Sequence, residues 1–340
     1  MSVMIGIDPH KAVHAACVID GNEVQLAELT VRSGPRQVGQ LIDWAAPFDA
    51  RTWAIESAGG LGYLLAQQLL ARGERVVDVP STLAARVRLL GSGKSSKNDA
   101  NDARAVAVAA LRAPSLRTVR VEDHVAVLRL LAKAHLDAGR ARSQACSRLH
   151  ALVNELIPGG ISKEIVVNQA RSTLADIEAT SVVQRQRLQL AVELLEEITV
   201  LDTKLKCSKA RVATAVTASA TTLTEMFGVG PIIAAMLIGY TGDPARFPTA
   251  GHFAAYNGTA PMEFSSSGRT VHRLSRRGNR TLNHAIHLIA VTQIRHPHSE
   301  GRAYYDAKIA AGSPPRTAMR ALKRHISNRV FRHLRGDAAC

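Results

Sequence analysis

Aromatic side chains make up only 4% of this 340-residue chain, cysteines number four, and no apolar run approaches the roughly 20 residues needed to cross a bilayer. Each scarcity excludes something. Cys17, Cys146, Cys207 and Cys340 lie far apart with no Cys-x-x-Cys pair, so neither a disulfide framework nor a structural zinc site is expected, and free thiols suit a reducing compartment. The N-terminus has no basic segment leading into a long apolar core, which with the missing span points to a cytoplasmic protein without a membrane partner. The shortage of aromatics also weighs against a basic amphipathic helix lying on a lipid surface. Acids are scarce in one place above all: residues 265–340 hold three, Glu300, Asp306 and Asp337, against fifteen Lys and Arg, a local balance of +12.

What is present fits a soluble globular protein of two or three domains, with 46% hydrophobic and 21% charged residues. The whole chain carries 43 Lys and Arg against 28 Asp and Glu, a net charge of +15. A solubilising surface intersperses both signs, whereas a long one-signed segment reads as a surface facing a polyanion, DNA or RNA before a membrane.

The first hundred residues alternate strands and helices. Residues 3–8 form a short apolar run ending in Asp8, and residues 14–19 and 23–31 follow as strands joined by an Asp20-Gly21-Asn22 turn. Pro35 opens a helix; residues 51–56 are a strand ending in Glu56; residues 61–70 are helical, 75–79 a strand and 81–90 a helix. A three-strand meander followed by βα units is the ribonuclease-H-like arrangement, an α/β fold with a mixed central sheet. The Ala- and Val-rich run from Ala103 to Leu111 then reads as a helix, with Asp99 and Asp102 one turn apart at its start. By themselves these two acids suit a helix N-terminus, and Asp8 and Glu56 suit strand ends in solvent. Together, the topology brings all four to one end of the sheet, where carboxylates repel unless a hard cation such as Mg²⁺ or Mn²⁺ joins them. Paired metals of this kind clamp the attacking and leaving oxygens of a phosphodiester. A sugar-kinase or actin-like fold also opens on such a strand, but it needs glycine and a hydroxyl residue after the Asp to admit nucleotide phosphates. Pro9-His10-Lys11 stands there instead.

The middle of the chain is helical. Leu128, Leu131, Leu149, Leu152 and Leu156 recur at helical spacing, and Leu188, Ala191, Leu195, Ile198, Asp202 and Leu205 step as a heptad seam within residues 182–216. Antiparallel packing of the two helices and a protruding coiled coil for dimerisation or nucleic-acid grip both fit. Beyond it, Gly228 and Gly230 in Met226-Phe-Gly-Val-Gly-Pro231 have the h-x-G-h-G pattern of a helix-hairpin-helix, whose glycines let the backbone approach a phosphate; a tight helix-helix turn is the plainer reading. Ser265, Ser266 and Ser267 then sit inside an arginine cluster of Arg269, Arg273, Arg276, Arg277 and Arg280. By composition three serines are a turn; beside guanidinium groups and metal, one could attack a phosphate. His284 and His287 share a helix face and read as packing or phosphate contact, and residues 316–334 make a basic helix.

These motifs taken in order resemble the insertion sequence one-ten family of transposases, the DEDD-type serine recombinases also called bridge-RNA-guided recombinases. The matching residues are Ile-Gly-Ile-Asp8, Ala-Ile-Glu56-Ser, Lys97-x-Asp99-x-x-Asp102-Ala-Arg, Gly-Val-Gly-Pro231, Tyr-Asn-Gly-Thr-Ala-Pro261 and Leu-Ser-Arg-Arg-Gly-Asn-Arg280. The resemblance implies a RuvC-like domain carrying the acidic tetrad over residues 1–118, a coiled-coil segment over 119–220 and a mostly helical C-terminal transposase domain over 221–340. It implies a nucleophilic serine five residues after the Ala-Pro motif, which is Ser266, with Ser265 and Ser267 as alternatives. It further implies a covalent phosphoserine-DNA intermediate, double-stranded donor and target DNA, a guide RNA, and a homodimer or homotetramer in which acids and serine come from different protomers. A RuvC-like endonuclease or junction resolvase using water, and a non-catalytic DNA-binding protein, are the other readings.

Overall fold

The computed structural model describes residues 2–90, 99–266, 269–274 and 278–339, with backbone alone for Leu90, Asp99, Ala100, 262–266 and 269–274. The chain divides into two compact units, Met1–Glu122 and Asp123–Cys340.

The first unit is built on a six-stranded sheet. β1 (Val3–Pro9), β2 (Val13–Ile19) and β3 (Gln25–Arg32) form an antiparallel meander; α1 (Gln37–Trp44), β4 (Arg51–Glu56), α2 (Tyr63–Leu70), β5 (Val76–Val79), α3 (Ser81–Leu90), α4 (Asp99–Arg112) and the two-residue edge strand β6 (Arg117–Thr118) follow. The strand order is β3-β2-β1-β4-β5-β6, with β4 parallel to both β1 and β5 and β6 antiparallel on the edge. This is the ribonuclease-H-like order expected from the sequence. The β2–β3 turn runs two residues longer than expected, because Asp20 Oδ1 accepts from the Asn22 and Val24 amides and Glu23 takes a positive φ of 66°.

Both faces of the central strands β2, β1, β4 and β5 are covered, while the edge strands β3 and β6 are largely exposed. Val3, Ile5, Ile7, Val18, Trp53 and Ile55 pack with Leu41 of α1 and Leu65 and Leu69 of α2. On the opposite face Ala54, Val77 and Val79 meet Ala84 of α3 and Val106, Ala109 and Ala110 of α4, while Ala15, Cys17 and Ile19 meet Ala103, Ala107 and Val108. The Ala-rich composition of α4 lets that helix lie close to the strands.

The second unit is helical. α5 (His124–Asn154) and α7 (Val182–Ala218) flank the short α6 (Val167–Ala175). They run antiparallel: His135 Nδ1 lies 3.3 Å from Ser208 Oγ, Arg142 pairs with Asp202, and Arg187 Nε lies 2.6 Å from Glu155 Oε2. The predicted seam faces α5 within the same chain, with Ala191, Leu195 and Ile198 buried beside Ala145, Leu149 and Val153. A 3-10 turn (Thr222–Glu225) leads to α8 (Pro231–Thr241), which is buried nearly all round, as its uniformly apolar sequence requires. A second 3-10 turn (Pro244–Arg246), α9 (Ala250–Tyr256), the hairpin β7 (Pro261–Ser266) and β8 (Arg269–Leu274), then α10 (Arg280–Arg295), α11 (Glu300–Ala310) and α12 (Pro315–Asp337) complete the chain. Leu128 and Ala132 of α5 and Val212 and Val216 of α7 join the core formed by α8, α10 and α12, so the roots of the long helices belong to the C-terminal core. Among the described residues no helix is long and apolar enough to cross a membrane.

Candidate active site

Side chains alternate along a strand, so Val3, Ile5 and Ile7 enter one core while Met4, Gly6 and Asp8 turn to the face covered by α4. The same alternation in β4 sends Trp53 and Ile55 one way and Ala54 and Glu56 the other. Because Ile7 and Ile55 are paired in register, Asp8 and Glu56 sit side by side one residue further on. Asp102, in the first turn of α4, faces them one turn before Val106, which packs beside Ala54. Asp8 and Asp102 are buried, with 8% and 6% of their surface exposed, and the Glu56 side chain is 13% exposed. Three of the four predicted acids are thus brought together. The fourth, Asp99, lies on the same helix three residues earlier, with its backbone alone described.

Burial raises the pKa of Asp8, helped by repulsion from Asp102 and opposed by His10 and Arg88. Burial also raises Glu56, where Ser81 and Arg88 oppose and Asp8 and Asp102 reinforce it. Two basic side chains answer the acids: His10 Nε2 is 3.1 Å from Asp8 Oδ2, and Arg88 Nη1 is 3.0 Å from Asp102 Oδ1 and 3.9 Å from Glu56 Oε2. Glu56 Oε2 is buried without a hydrogen-bond partner. As placed, no three His, Cys, Asp or Glu side chains among the described residues close into a metal-holding group. The donor set is nonetheless what a hard divalent cation takes: carboxylate oxygens, mutually repelling, one of them unsatisfied.

Sequence reasoning did not single out Arg88, His10 or Gly6 here. Gly6 carried a signal, a glycine inside a strand otherwise made of large apolar residues, which marks close approach of another backbone.

The predicted serine lies in the other unit. Ser265 and Ser266 end β7, and Ser266 is register-paired with Arg269, the first residue of β8 that also carries Arg273. Ser267, Arg276 and Arg277 lie outside the described residues. The two motifs flanking this hairpin clamp its feet. On the entry side, Asn257 is fully buried; its Nδ2 donates to Ser327 Oγ at 2.8 Å, and its Oδ1 accepts from the Thr259 amide at 3.1 Å and hydroxyl at 2.7 Å. Asn283 Nδ2 donates to the Asn257 and Gly258 carbonyls at 2.9 and 3.2 Å, and Lys323 Nζ donates to Asn283 Oδ1 at 2.7 Å. Burial, then the Arg280 charge, lowers the Lys323 pKa. On the exit side, Gly278 takes φ 105°, where a Cβ would meet the Tyr256 carbonyl oxygen at 2.6 Å. The Asn279 amide donates to that same carbonyl at 2.7 Å, and its Oδ1 caps α10 by accepting from the Thr281 and Leu282 amides. Arg280 is exposed on the first turn of α10.

Gly228 has a packing reason of its own. At φ 88° it faces Thr292 and Ile289 of α10, while Gln293 Nε2 donates to the Phe227 carbonyl at 2.8 Å. Gly230 is exposed and caps the N-terminus of α8. The turn therefore joins a short 3-10 segment to α8 and seats on α10.

The strand order, with acids at the ends of β1 and β4 and on the facing helix, gives the first unit a ribonuclease-H-like fold. Two family models match the chain, one described as "Transposase" over residues 5–158 and one as "Transposase IS116/IS110/IS902 family" over residues 220–306. The chain belongs to the IS116/IS110/IS902 family of insertion-sequence transposases, enzymes that act on DNA. It is 26% identical to the uncharacterized 44.8 kDa protein of insertion element IS116 from Streptomyces clavuligerus, covering 98% of this chain and 94% of that one. It is 27% identical to the uncharacterized 42 kDa protein of insertion element IS900 from Mycobacterium paratuberculosis, covering 99% and 96%. A solved structure of T. thermophilus RuvC with a Holliday junction substrate aligns at 16% identity and TM-score 0.29, covering 35% of this chain and all of that one.

Proposed function

We propose that this transposase is a metal-dependent, site-specific DNA recombinase with a serine nucleophile. The observation that carries the metal reading is the meeting of buried Asp8 and Asp102 with the largely covered Glu56, acids on three elements, two of them with raised pKa values. Together with Asp99 they would hold Mg²⁺ or Mn²⁺ at a scissile phosphate, where the metal would stabilise developing charge. The serine reading rests on the family resemblance and on position: Ser266 ends a strand whose feet are clamped by buried hydrogen bonds, which suits a nucleophile that must be presented in fixed geometry. In this reading the Ser266 oxygen forms a bond to phosphorus, the bond from phosphorus to the sugar oxygen breaks, and the serine proton is lost as the sugar oxygen gains one. The phosphoserine link then conserves the bond energy for strand exchange.

Arg269, Arg273, Arg276, Arg277 and Arg280 surround the serine stretch in sequence and would contact the phosphate backbone. A guide RNA and an assembly of two or four copies on paired DNAs complete the proposal, both on the family resemblance. The test is to trap a covalent adduct on DNA carrying the ends of its own insertion sequence, in Mg²⁺ or Mn²⁺, and map the modified residue. The adduct is expected on Ser266 and absent in Ser266→Ala. If Ser265→Ala, Ser266→Ala and Ser267→Ala all recombine normally, the serine mechanism is wrong. If no adduct forms while Asp102→Ala alone stops cutting, water is the nucleophile and the resolvase-type reading replaces it.

A further inference from the structure

Arg88 stands in the last turn of α3, where the negative end of the helix dipole already favours a cation. Its guanidinium lies against two of the acids rather than in solvent: Nη1 is at hydrogen-bond distance from Asp102 Oδ1 and at 3.9 Å from Glu56 Oε2. The second contact is too long for a hydrogen bond, and Glu56 Oε2 has no other partner although the atom is buried. A well-made structural ion pair would use the two-pronged guanidinium to satisfy both carboxylates. Here it satisfies one and only neutralises the other. The group is 35% exposed on a long flexible stem, so it can swing outward without opening the core.

The same oxygens are the ones a divalent cation would take. Asp102 Oδ1 cannot be strongly paired to a guanidinium and also ligate a metal, and a metal ion within a few ångströms of Arg88 would repel it. We propose that Arg88 is a displaceable internal cation of the acid cluster, holding Asp102 and Glu56 together in the metal-free protein and leaving them when divalent metal enters. The inference rests on the metal reading above. It gives the metal-free site a defined state in place of bare buried carboxylates, whose mutual repulsion would otherwise open it. It also explains why the acids, as they stand, close around a guanidinium and not into a metal-holding group.

A purely structural role predicts something different. If Arg88 only ties α3 to α4, removing it loosens the site and weakens metal binding. If it competes with metal, removing it strengthens binding.

The experiment measures Mn²⁺ affinity of the full chain at fixed pH, by electron paramagnetic resonance of free Mn²⁺, for the wild type, Arg88→Gln, Arg88→Lys and Glu56→Gln. Arg88→Gln is expected to bind Mn²⁺ roughly tenfold more tightly, the change that about 1.4 kcal/mol of lost competition produces. Arg88→Lys, which keeps the charge without the fork, is expected between Arg88→Gln and the wild type, and Glu56→Gln below the wild type. A second measurement needs no variant: phenylglyoxal modification of Arg88 in the wild type, mapped by mass spectrometry, is expected to rise when Mn²⁺ is added. Equal or weaker Mn²⁺ binding by Arg88→Gln, or Arg88 labelling that stays level or falls with Mn²⁺, overturns the competition. Absence of Mn²⁺ binding in both the wild type and Arg88→Gln overturns the metal reading itself.

Discussion

Gly6 of β1 and Ala107 of α4 approach so closely that a Cβ on Gly6 would lie 2.5 Å from the Ala107 amide nitrogen, and closer still to the Ala103 carbonyl oxygen. Both obstacles are backbone, which cannot swing aside as a side chain can. The helix that carries Asp99 and Asp102 is therefore seated directly on the strand that carries Asp8, and the distance between the acids is set by the missing side chain at residue 6.

Gly6→Ala is expected to destabilise the protein by about 3 kcal/mol, at the upper end for an overpacked core, because helix and strand must part. Parting them also spreads Asp8 from Asp102, so DNA cutting should fall further than the loss of folded protein accounts for. Gly139→Ala, on α5 with open space around the position, is the control: it should be neutral or stabilising by up to about 1 kcal/mol. Urea denaturation of both variants decides the point, and similar midpoints for the two would remove the close-approach argument.

Burial raises the pKa of Asp8 and Glu56 above their ordinary 3.8 and 4.5, so the folded chain holds these protons more tightly than the unfolded chain does. The stability this gives is complete below those ordinary values and is lost as pH rises through the raised ones. Metal-free protein should accordingly become less stable from about pH 4 upward, and Glu56→Gln, which removes one ionisation, should flatten the slope. At pH 7 without divalent metal the variant is expected to melt a few degrees higher than the wild type, while losing DNA cutting. Calorimetry between pH 4 and 7 checks this; a variant that melts lower at pH 7 would mean that Glu56 is satisfied in the folded state.

Much of this site could be read before folding was considered. Residues 3–8 and 51–56 mark their strands as short apolar runs, each ending in an acid, so strand identity and the placement of Asp8 and Glu56 at one end of the sheet arrive together. Arg88 and His10 leave no such trace, because a lone basic residue on a helix or in a loop looks alike whether it meets solvent or a carboxylate. The β7–β8 hairpin escaped for another reason. Its strands mix Met, Glu, Phe, Ser and Arg, Thr, Val, His without a clean alternation, so the serines read as a turn. The edge strand β6 is two residues long, and its pairing with β5 depends on a neighbour about forty residues away. For the heptad seam, the pattern specified a helix partner but not which one; Arg142 opposite Asp202 places that partner within the chain.

The hairpin clamp makes a separable prediction. Asn257→Ala takes the partner from Ser327 Oγ and from the Thr259 hydroxyl, while the Thr259 amide keeps its bond to the Ala254 carbonyl, at a cost of about 2 kcal/mol. Asn279→Ala removes the α10 cap for about 1 kcal/mol but keeps the backbone bond to Tyr256. Neither residue needs to touch DNA, so DNA affinity should change little in either variant, whereas covalent adduct formation should drop with both and more with Asn257→Ala. Filter binding alongside adduct yield separates the two effects. Parallel losses of binding and adduct would place the network in the DNA contact itself.

Finally, the basic surface of α12 should register in the salt dependence of DNA binding, and unevenly. Each Lys or Arg that neutralises a phosphate on binding releases counterions, so its removal lowers the slope of log affinity against log salt by about 1. Arg316 and Arg320 are exposed on α12, whereas Arg329 is paired with Glu300 of α11. A paired arginine must give up its carboxylate before it can serve a phosphate, so it contributes less. Arg316→Ala and Arg320→Ala are expected to weaken binding by about the same factor on any DNA sequence and to lower the slope by about 1 each. Arg329→Ala should lower it by less. Fluorescence anisotropy from low to moderate salt measures all three. Equal slopes for Arg316→Ala and the wild type would move the DNA track off α12, leaving the arginines around the serine hairpin to carry it.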